Sequence, residues 1–243
     1  MNILELQNVT GGYGKTPIIH DISFSLKEGE IVGLIGLNGA GKSTTIKHIL
    51  GLLSPHSGEI KVLDKNIRDE NMRKHLTYIP ETPILYEELT LREHIHMTAM
   101  AYGLTEDEAM TRAEPLLKLF RLENELDKFP AHFSKGMKQK VMLICAFVVE
   151  PELFIIDEPF LGLDPLGIEG LIELMISMRN KGKSILMSTH ILATAERYCD
   201  RYIIIHHGKK IADGTIESLR EETGINGTLD DIYLHLTGDS NVD

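Results

Sequence analysis

Glycines at 36, 39 and 41 punctuate the run Gly36-Leu37-Asn38-Gly39-Ala40-Gly41-Lys42-Ser43-Thr44, directly after the apolar stretch 31–35. Glycines so spaced let a backbone curl until successive N–H groups face one phosphate. Lys42 adds a compact ammonium for the β- and γ-phosphates, and Ser43 a hydroxyl for Mg²⁺. The helix expected from about 42 adds the positive end of its dipole. The complete pattern, with Asn38, Ala40 and Thr44 filling the cradle, implies a nucleoside triphosphate held with Mg²⁺.

A second constellation lies at 153–158, an apolar strand ending in Asp157 and Glu158. Neighbouring strand residues face opposite sides, so the two carboxylates are expected to do different work. Asp157 suits Mg²⁺, held through its water shell, and Glu158 suits polarising the water that attacks the γ-phosphate. Ser134 and Gly136 precede a helical run at 137–149, where hydroxyl and N–H groups form another anion site at a helix N-terminus. His190 follows the strand expected at 184–188, where its imidazole can contact the γ-phosphate. Among the other histidines, the spacings of His94/His96 and His206/His207 do not bring their rings together on the expected elements, and all four read as surface or satisfied core groups.

The elements that must position these groups follow from periodicity. Strands are expected at 3–9, 18–26, 31–35, 58–63, 76–79, 153–157 and 184–188, with a hairpin of 202–206 and 209–212 around His207-Gly208. Helices are expected at about 42–52, 165–179, 215–222 and 228–236. From 90 to 149 the texture is helical, with capping boxes at Thr90/Glu93 and Thr105/Glu108. Strand and helix alternate after 150, the rhythm of a parallel sheet.

The 243 residues carry 36 acidic against 25 basic groups, a net charge of −11 that argues against a nucleic-acid footprint. Cys145 and Cys199 each fall in a helical pattern and read as buried or half-buried thiols of a reducing compartment. The start of the chain shows no basic and apolar leader. The longest apolar run, 141–149, has nine residues, where a membrane span needs about 20. A cytoplasmic location is expected, with any membrane role exercised through a partner.

With both phosphate-site motifs in place, Phe133-Ser134-Lys135-Gly136-Met137 resembles the signature loop of ATP-binding-cassette (ABC) proteins, and the resemblance spans the chain. Tyr13 taken singly serves packing as well as stacking, but its position before the loop resembles that of the aromatic that stacks on adenine. Leu161-Gly162-Leu163-Asp164 resembles the D-loop, and Ser188-Thr189-His190 the switch-histidine segment. The resemblance implies a single α/β domain, 1–243, with the P-loop ABC ATPase fold: a mixed sheet core, an antiparallel β subdomain and an inserted helical subdomain at about 84–150. It implies ATP hydrolysis and a nucleotide-dependent head-to-tail homodimer. In that dimer each ATP lies between one subunit's phosphate loop and the residues 134–137 of the other.

Two positions depart from the family pattern. Glu81 stands where a glutamine is usual and either touches a Mg²⁺-bound water or points to solvent; Lys135 replaces a glycine and either favours the partner's γ-phosphate or is merely solvated. At a finer level, residues 78–83, 131–140 and 188–199 resemble the ATP-binding subunits of Ecs-type bacterial transporters, and 228–234 resembles the C-termini of exporter-type subunits. The implied assembly includes an integral membrane partner of the EcsB kind, places the chain on the inner face of the membrane, and exports cargo by ATP-driven dimer closure. Ile84, Leu85 and Tyr86 either line a groove for that partner or belong to the core. Rival readings are a soluble ABC ATPase acting on ribosomes or nucleic acid, and a small-molecule kinase. The first usually carries a second cassette or a long coiled coil, neither of which is present, and the second leaves the signature segment and Asp164 without a task.

Overall fold

Runs of five or six residues buried at every position need cover on both faces, and three of them become neighbours. In the computed structural model, which describes residues 1–238, they are β3 (Ile31–Ile35), β7 (Leu153–Asp157) and β8 (Ser184–Thr189), with elements numbered in chain order. Together with β6 (Leu76–Ile79), β9 (Arg201–His206) and β10 (Lys209–Gly214) they build a six-stranded sheet of order β10-β9-β3-β8-β7-β6. All neighbours are parallel except the β9–β10 hairpin, so the sheet is mixed, as expected. A second, antiparallel sheet has the order β2-β1-β4-β5, from β1 (Asn2–Gly11), β2 (Ile19–Lys27), β4 (Ser57–Val62) and β5 (Lys65–Asn66). β5 is two exposed polar residues with no alternation to betray it, and its pairing is set by β4 alone.

Strand alternation sorts the six-stranded sheet into two faces. Ile31, Phe154, Ile156, Ile185 and Met187 point into a core shared with α2 (Leu91–Ala101), α3 (Glu106–Phe120), α4 (Lys135–Val148) and α5 (Pro165–Asn180). The Phe147 ring of α4 stacks on Phe154 of β7 at 4.7 Å. Val32, Leu34, Leu153, Ile155, Leu186 and Ile203 point the other way, toward the antiparallel sheet and α1 (Lys42–Ile49). A third, smaller core joins the end of β3 to α6 (Leu192–Tyr198), α7 (Ile216–Thr223) and α8 (Leu229–Thr237). The middle sheet is thus a layer between two covers, the arrangement that parallel strands demand.

Several boundaries differ from the periodicity. α1 stops at Ile49, and Gly51 takes φ +69 two residues on, so the chain turns before 52. α4 starts at Lys135 because Ser134 caps it, two residues before the apolar pattern begins. α6 is the helix of the pattern read around Cys199, although it ends at Tyr198, one residue before it. Cys199 is accordingly the half-buried cap of α6, while Cys145 is buried inside α4; both thiols are free. Both expected capping boxes, Thr90/Glu93 and Thr105/Glu108, are present. Of the expected span 1–243, residues 239–243 lie outside the described residues.

The register brings strand ends together. Ile35 pairs with Thr189 of β8 and Ile204 of β9, and Asp157 pairs with Ser188. The residues that follow β3, β7 and β8 therefore emerge at one edge of the sheet, the crevice where open α/β sheets bind ligands.

Arg201 fastens the layers. Its guanidinium donates to Glu30 at 2.7 and 3.2 Å, to the Ser25 carbonyl on β2, and to Asp213 on β10. Burial raises the Glu30 pKa, but the Arg201 hydrogen bond, the Lys27 N–H and the Arg201 charge outweigh it and hold the carboxyl below 4.5. A depressed carboxyl contributes stability that is present above its unfolded value and lost as pH falls through the folded one. Arg201→Met is expected to cost about 3 kcal/mol, since it leaves the largely buried Glu30 carboxylate without its cation, whereas Asp213 keeps Lys210 at 3.3 Å. Melting curves check this: the variant should also lose the part of the acid destabilisation below pH 4.5 that the parent owes to Glu30.

Candidate functional site

The loop between β3 and α1 closes on itself through two tight approaches. A Cβ at position 36 would stand 2.4 Å from the Ile205 carbonyl of β9, so Gly36 lets the loop leave the sheet without a gap. Gly41 takes φ 113 at the N-cap of α1, a conformation closed to other residues, and its carbonyl accepts the Thr45 N–H at 2.9 Å. The Ala40 carbonyl accepts the N–H of Gly208, so the β9–β10 turn supports the loop from below. The α1 N-terminus has no side-chain cap, which leaves its N–H groups facing the cleft.

Inside this curl, Lys42 is buried at 6% exposure, with Nζ donating to the Gly36 carbonyl at 2.7 Å and standing 3.6 Å from Glu158 Oε1. Glu158 Oε1 also lies 2.9 Å from His190 Nδ1, off the line of a hydrogen bond, and neither atom has an aligned partner among the described residues. Buried polar atoms left in this condition mark a place built for another group. Ile18, Leu37, Asn38, Gly39, Gly41, Lys42, Ser43, Thr44, Glu81, Glu158, Leu161 and His190 enclose a cleft of about 490 Å³, the size range of small-molecule sites. It brings the phosphate loop, Glu158, His190 and Glu81 together from four separate stretches of chain.

The two carboxylates part company for a reason the strand pattern misses. Asp157 ends β7, accepts the Ser188 hydroxyl and the Tyr78 hydroxyl, and is buried. Burial, and then the Asp157 charge, push the Tyr78 phenol far above its ordinary value, so it remains a neutral donor. Glu158 leaves the strand at φ 48, a left-handed conformation rare for a glutamate, held by its N–H to the Ser188 carbonyl at 3.1 Å. The divergence is thus made by a backbone turn after β7, not by alternation along it. Ser188 and Tyr78 fix these carboxylates; both fall in segments that carry the family resemblance, but no role was expected of either side chain.

Other expected site residues lie elsewhere. Ser134 caps α4, its hydroxyl accepting the Met137 N–H at 3.2 Å, and with Lys135 it is exposed, away from the cleft. A Cβ on Gly136 would meet the Gly162 carbonyl at 2.6 Å, so the signature segment and the 161–164 turn are in close contact. Asp164 caps α5 through the Gly167 N–H and pairs with Lys140 at 3.1 Å; both interactions, the N–H foremost, lower its pKa. Lys140 had not been singled out. Tyr13 is half-exposed and does not line the cleft; its hydroxyl accepts from Lys47 of α1 at 2.7 Å. Leu85 packs on the large core, whereas Ile84 and Tyr86 are exposed, so the three residues divide between the two expected settings.

His94 is a satisfied core group, bonded to the Thr90 carbonyl and the Tyr86 N–H. His206 and His207, however, do meet, with rings 4.0 Å apart, because His207 turns to φ 47 where strand geometry would have sent the rings to opposite faces. No group of three or more His, Cys, Asp or Glu side chains suited to a metal ion occurs among the described residues.

The family model for ABC transporters matches residues 19–161. The ABC-type transporter ATP-binding protein EcsA of Bacillus subtilis is 58% identical over 240 residues, covering 98% of this chain and 97% of that protein. The Nod factor export ATP-binding protein I of Burkholderia orbicola is 36% identical, over 90% of this chain and 72% of that protein. A solved structure of the ATP-binding subunit of an ABC transporter superposes with a TM-score of 0.93 at 55% identity, covering 96% of this chain and 99% of the other.

Lys42 is the only lysine or arginine among the residues that line the cleft. Lys42→Ala is expected to lose most ATP binding in a direct titration and to melt below the parent temperature, since it leaves the buried Glu158 carboxylate without its cation.

Proposed function

This chain belongs to the ABC transporter family as an ATP-binding subunit with ATPase activity, and from that premise we propose that it drives an exporter through ATP-dependent closure of a homodimer. The reading rests above all on Glu158, a buried carboxylate poised between Lys42 and His190 with an oxygen still to be satisfied. Lys42 and the N–H groups from Gly39 to Thr44 bind the β- and γ-phosphates, and the left-handed glycines let those groups converge. Glu158 accepts a proton from the attacking water and so raises its nucleophilicity. His190, beside the same carboxylate, holds the γ-phosphate and keeps Glu158 turned toward the water. Tyr13 stacks at the rim, where Lys47 fixes its ring.

Ser43 and Asp157 fit a Mg²⁺ site: one exposed hydroxyl on the cleft wall and one buried carboxylate, with Glu81 at the edge as a further oxygen. Mg²⁺ asks for one or two carboxylates alongside substrate phosphates and water, which matches this donor set. When bound, the ion neutralises charge on the β- and γ-phosphates. Asp157 is presented for this by the Ser188 and Tyr78 hydroxyls.

Ser134, Lys135, Gly136 and Met137 lie outside the cleft of their own chain, and they supply the second wall for a partner copy's ATP. Asp164, tied to Lys140 beside that segment, carries the contact across the dimer. The whole of 1–243 acts as one domain, with the stretch from about 84 to 150 as its helical subdomain. No helix among the described residues is long and apolar enough to cross a membrane. A separate integral membrane subunit of the EcsB kind forms the pathway, as the family resemblance implies, with this chain peripheral on the inner face. The exposed Ile84 and Tyr86 face that subunit, and the export direction is supported by the resemblance to a Nod factor export protein.

Two outcomes test the proposal. Glu158→Gln should bind ATP yet turn it over about 10²–10⁴ times more slowly and accumulate as dimer with ATP; single-turnover rates and light scattering check both. Tyr86→Asp should lose co-purification of the multi-span membrane subunit from mildly solubilised membranes while the isolated chain keeps its ATPase rate. Loss of both activities together would place Tyr86 in folding instead.

A further inference from the structure

The third core lies where three separate stretches meet: Ile35, the last residue before the phosphate loop; Leu192 and Ala195 of α6, just after His190; and Leu229, Ile232 and Tyr233 of α8. Tyr233 is buried at 2% exposure, and its hydroxyl accepts the N–H of Leu37 at 3.3 Å. Leu37 is the second residue of the loop and lines the nucleotide cleft. A tyrosine from the far end of the chain therefore grips the entry limb of the phosphate loop by its backbone.

The same helix is tied to the histidine side of the site. Glu196 of α6 accepts the Leu229 N–H at the start of α8 at 2.8 Å and pairs with Arg220 of α7 at 3.4 Å. Arg220 in turn donates to the Gly227 carbonyl at 2.9 Å, closing the link between the two terminal helices. A phenylalanine in place of Tyr233 would fill the same core, so the hydroxyl answers a need other than packing: a loop N–H that would otherwise lie partly buried beside the end of β3.

We propose that Tyr233 is a positioning residue of the nucleotide site, setting the entry limb of the phosphate loop, and that α8 acts as a bracket between that loop and the helix following His190. The inference rests on the loop's role as the ATP site. Tyr233 touches no phosphate; it acts by holding the Leu37 backbone so that the N–H groups from Gly39 onward converge at little further entropic cost. Its effect belongs to nucleotide affinity and leaves the Glu158 chemistry alone. At 3.3 Å the bond is at the weak end of the hydrogen-bond range, which keeps the expected effect small.

The test compares the full chain with Tyr233→Phe, Ile232→Val and Lys42→Ala, measuring ATP affinity, KM and kcat, and the melting temperature without nucleotide. Tyr233→Phe should weaken ATP binding and raise KM about two- to tenfold, with kcat and the melting temperature close to the parent. Ile232→Val, which trims the same core without touching the loop, should lower the melting temperature and leave affinity unchanged. Parent-like affinity in Tyr233→Phe, alongside loss of binding in Lys42→Ala, would overturn the proposal and keep the ATP site. Affinity that falls only in step with melting temperature in both α8 variants would also overturn it, by making Tyr233 a packing residue. Binding retained by Lys42→Ala would instead strike at the reading of the loop itself.

Discussion

A buried ammonium beside a buried carboxylate governs this molecule. Lys42 and Glu158 stand 3.6 Å apart, both nearly sealed from water, and charges so withdrawn persist only with further partners. Lys42 has the Gly36 carbonyl; Glu158 has the His190 N–H at 3.4 Å and the His190 ring. Each partner comes from a different strand end, so the pair can exist only if β3, β7 and β8 stop level with one another. The parallel register supplies that alignment, and the two covering layers stabilise the register.

The same constraint explains where backbone strain collects. Glu158 accepts a left-handed φ so that its side chain turns toward the loop while Asp157 stays under the sheet with Ser188 and Tyr78. Two adjacent carboxylates thereby acquire different surroundings, one wrapped in hydroxyl donors and one facing a cation and an imidazole. Such strain persists where the framework over-determines the position, and here the Glu158 N–H is fixed by the Ser188 carbonyl on the neighbouring strand. The loop itself is braced from three sides, by Ile205 and Gly208 of the hairpin and by Tyr233 of the last helix.

Much of this was legible before any coordinates. The local rules were strong: a complete phosphate loop after an apolar run, capping boxes with both halves present, and runs of buried residues that demand a parallel sheet. They gave the strands at 3–9, 18–26 and 58–63, the parallel rhythm after 150 and the helical texture between 90 and 149, while the mixed core and the antiparallel subdomain came with the family resemblance. The two exposed polar residues of β5 escaped, because they carry too little pattern to stand out. His206 and His207 misled because a positive φ in a turn reverses the face that strand geometry assigns.

What the sequence determined by itself, then, was the chemistry of each segment, because a glycine-rich curl, a capped helix start or a strand ending in carboxylates is specified by neighbours in the chain. Only the tertiary structure decided which segments share a space. It put Glu158, His190 and Glu81 around the loop, left Ser134 to Met137 on another surface, set Tyr13 against Lys47, and joined Tyr233 to Leu37 across 196 positions of sequence. Distances of that kind follow from strand order and from which faces are buried together. Those are properties of the packed whole that no local spacing encodes.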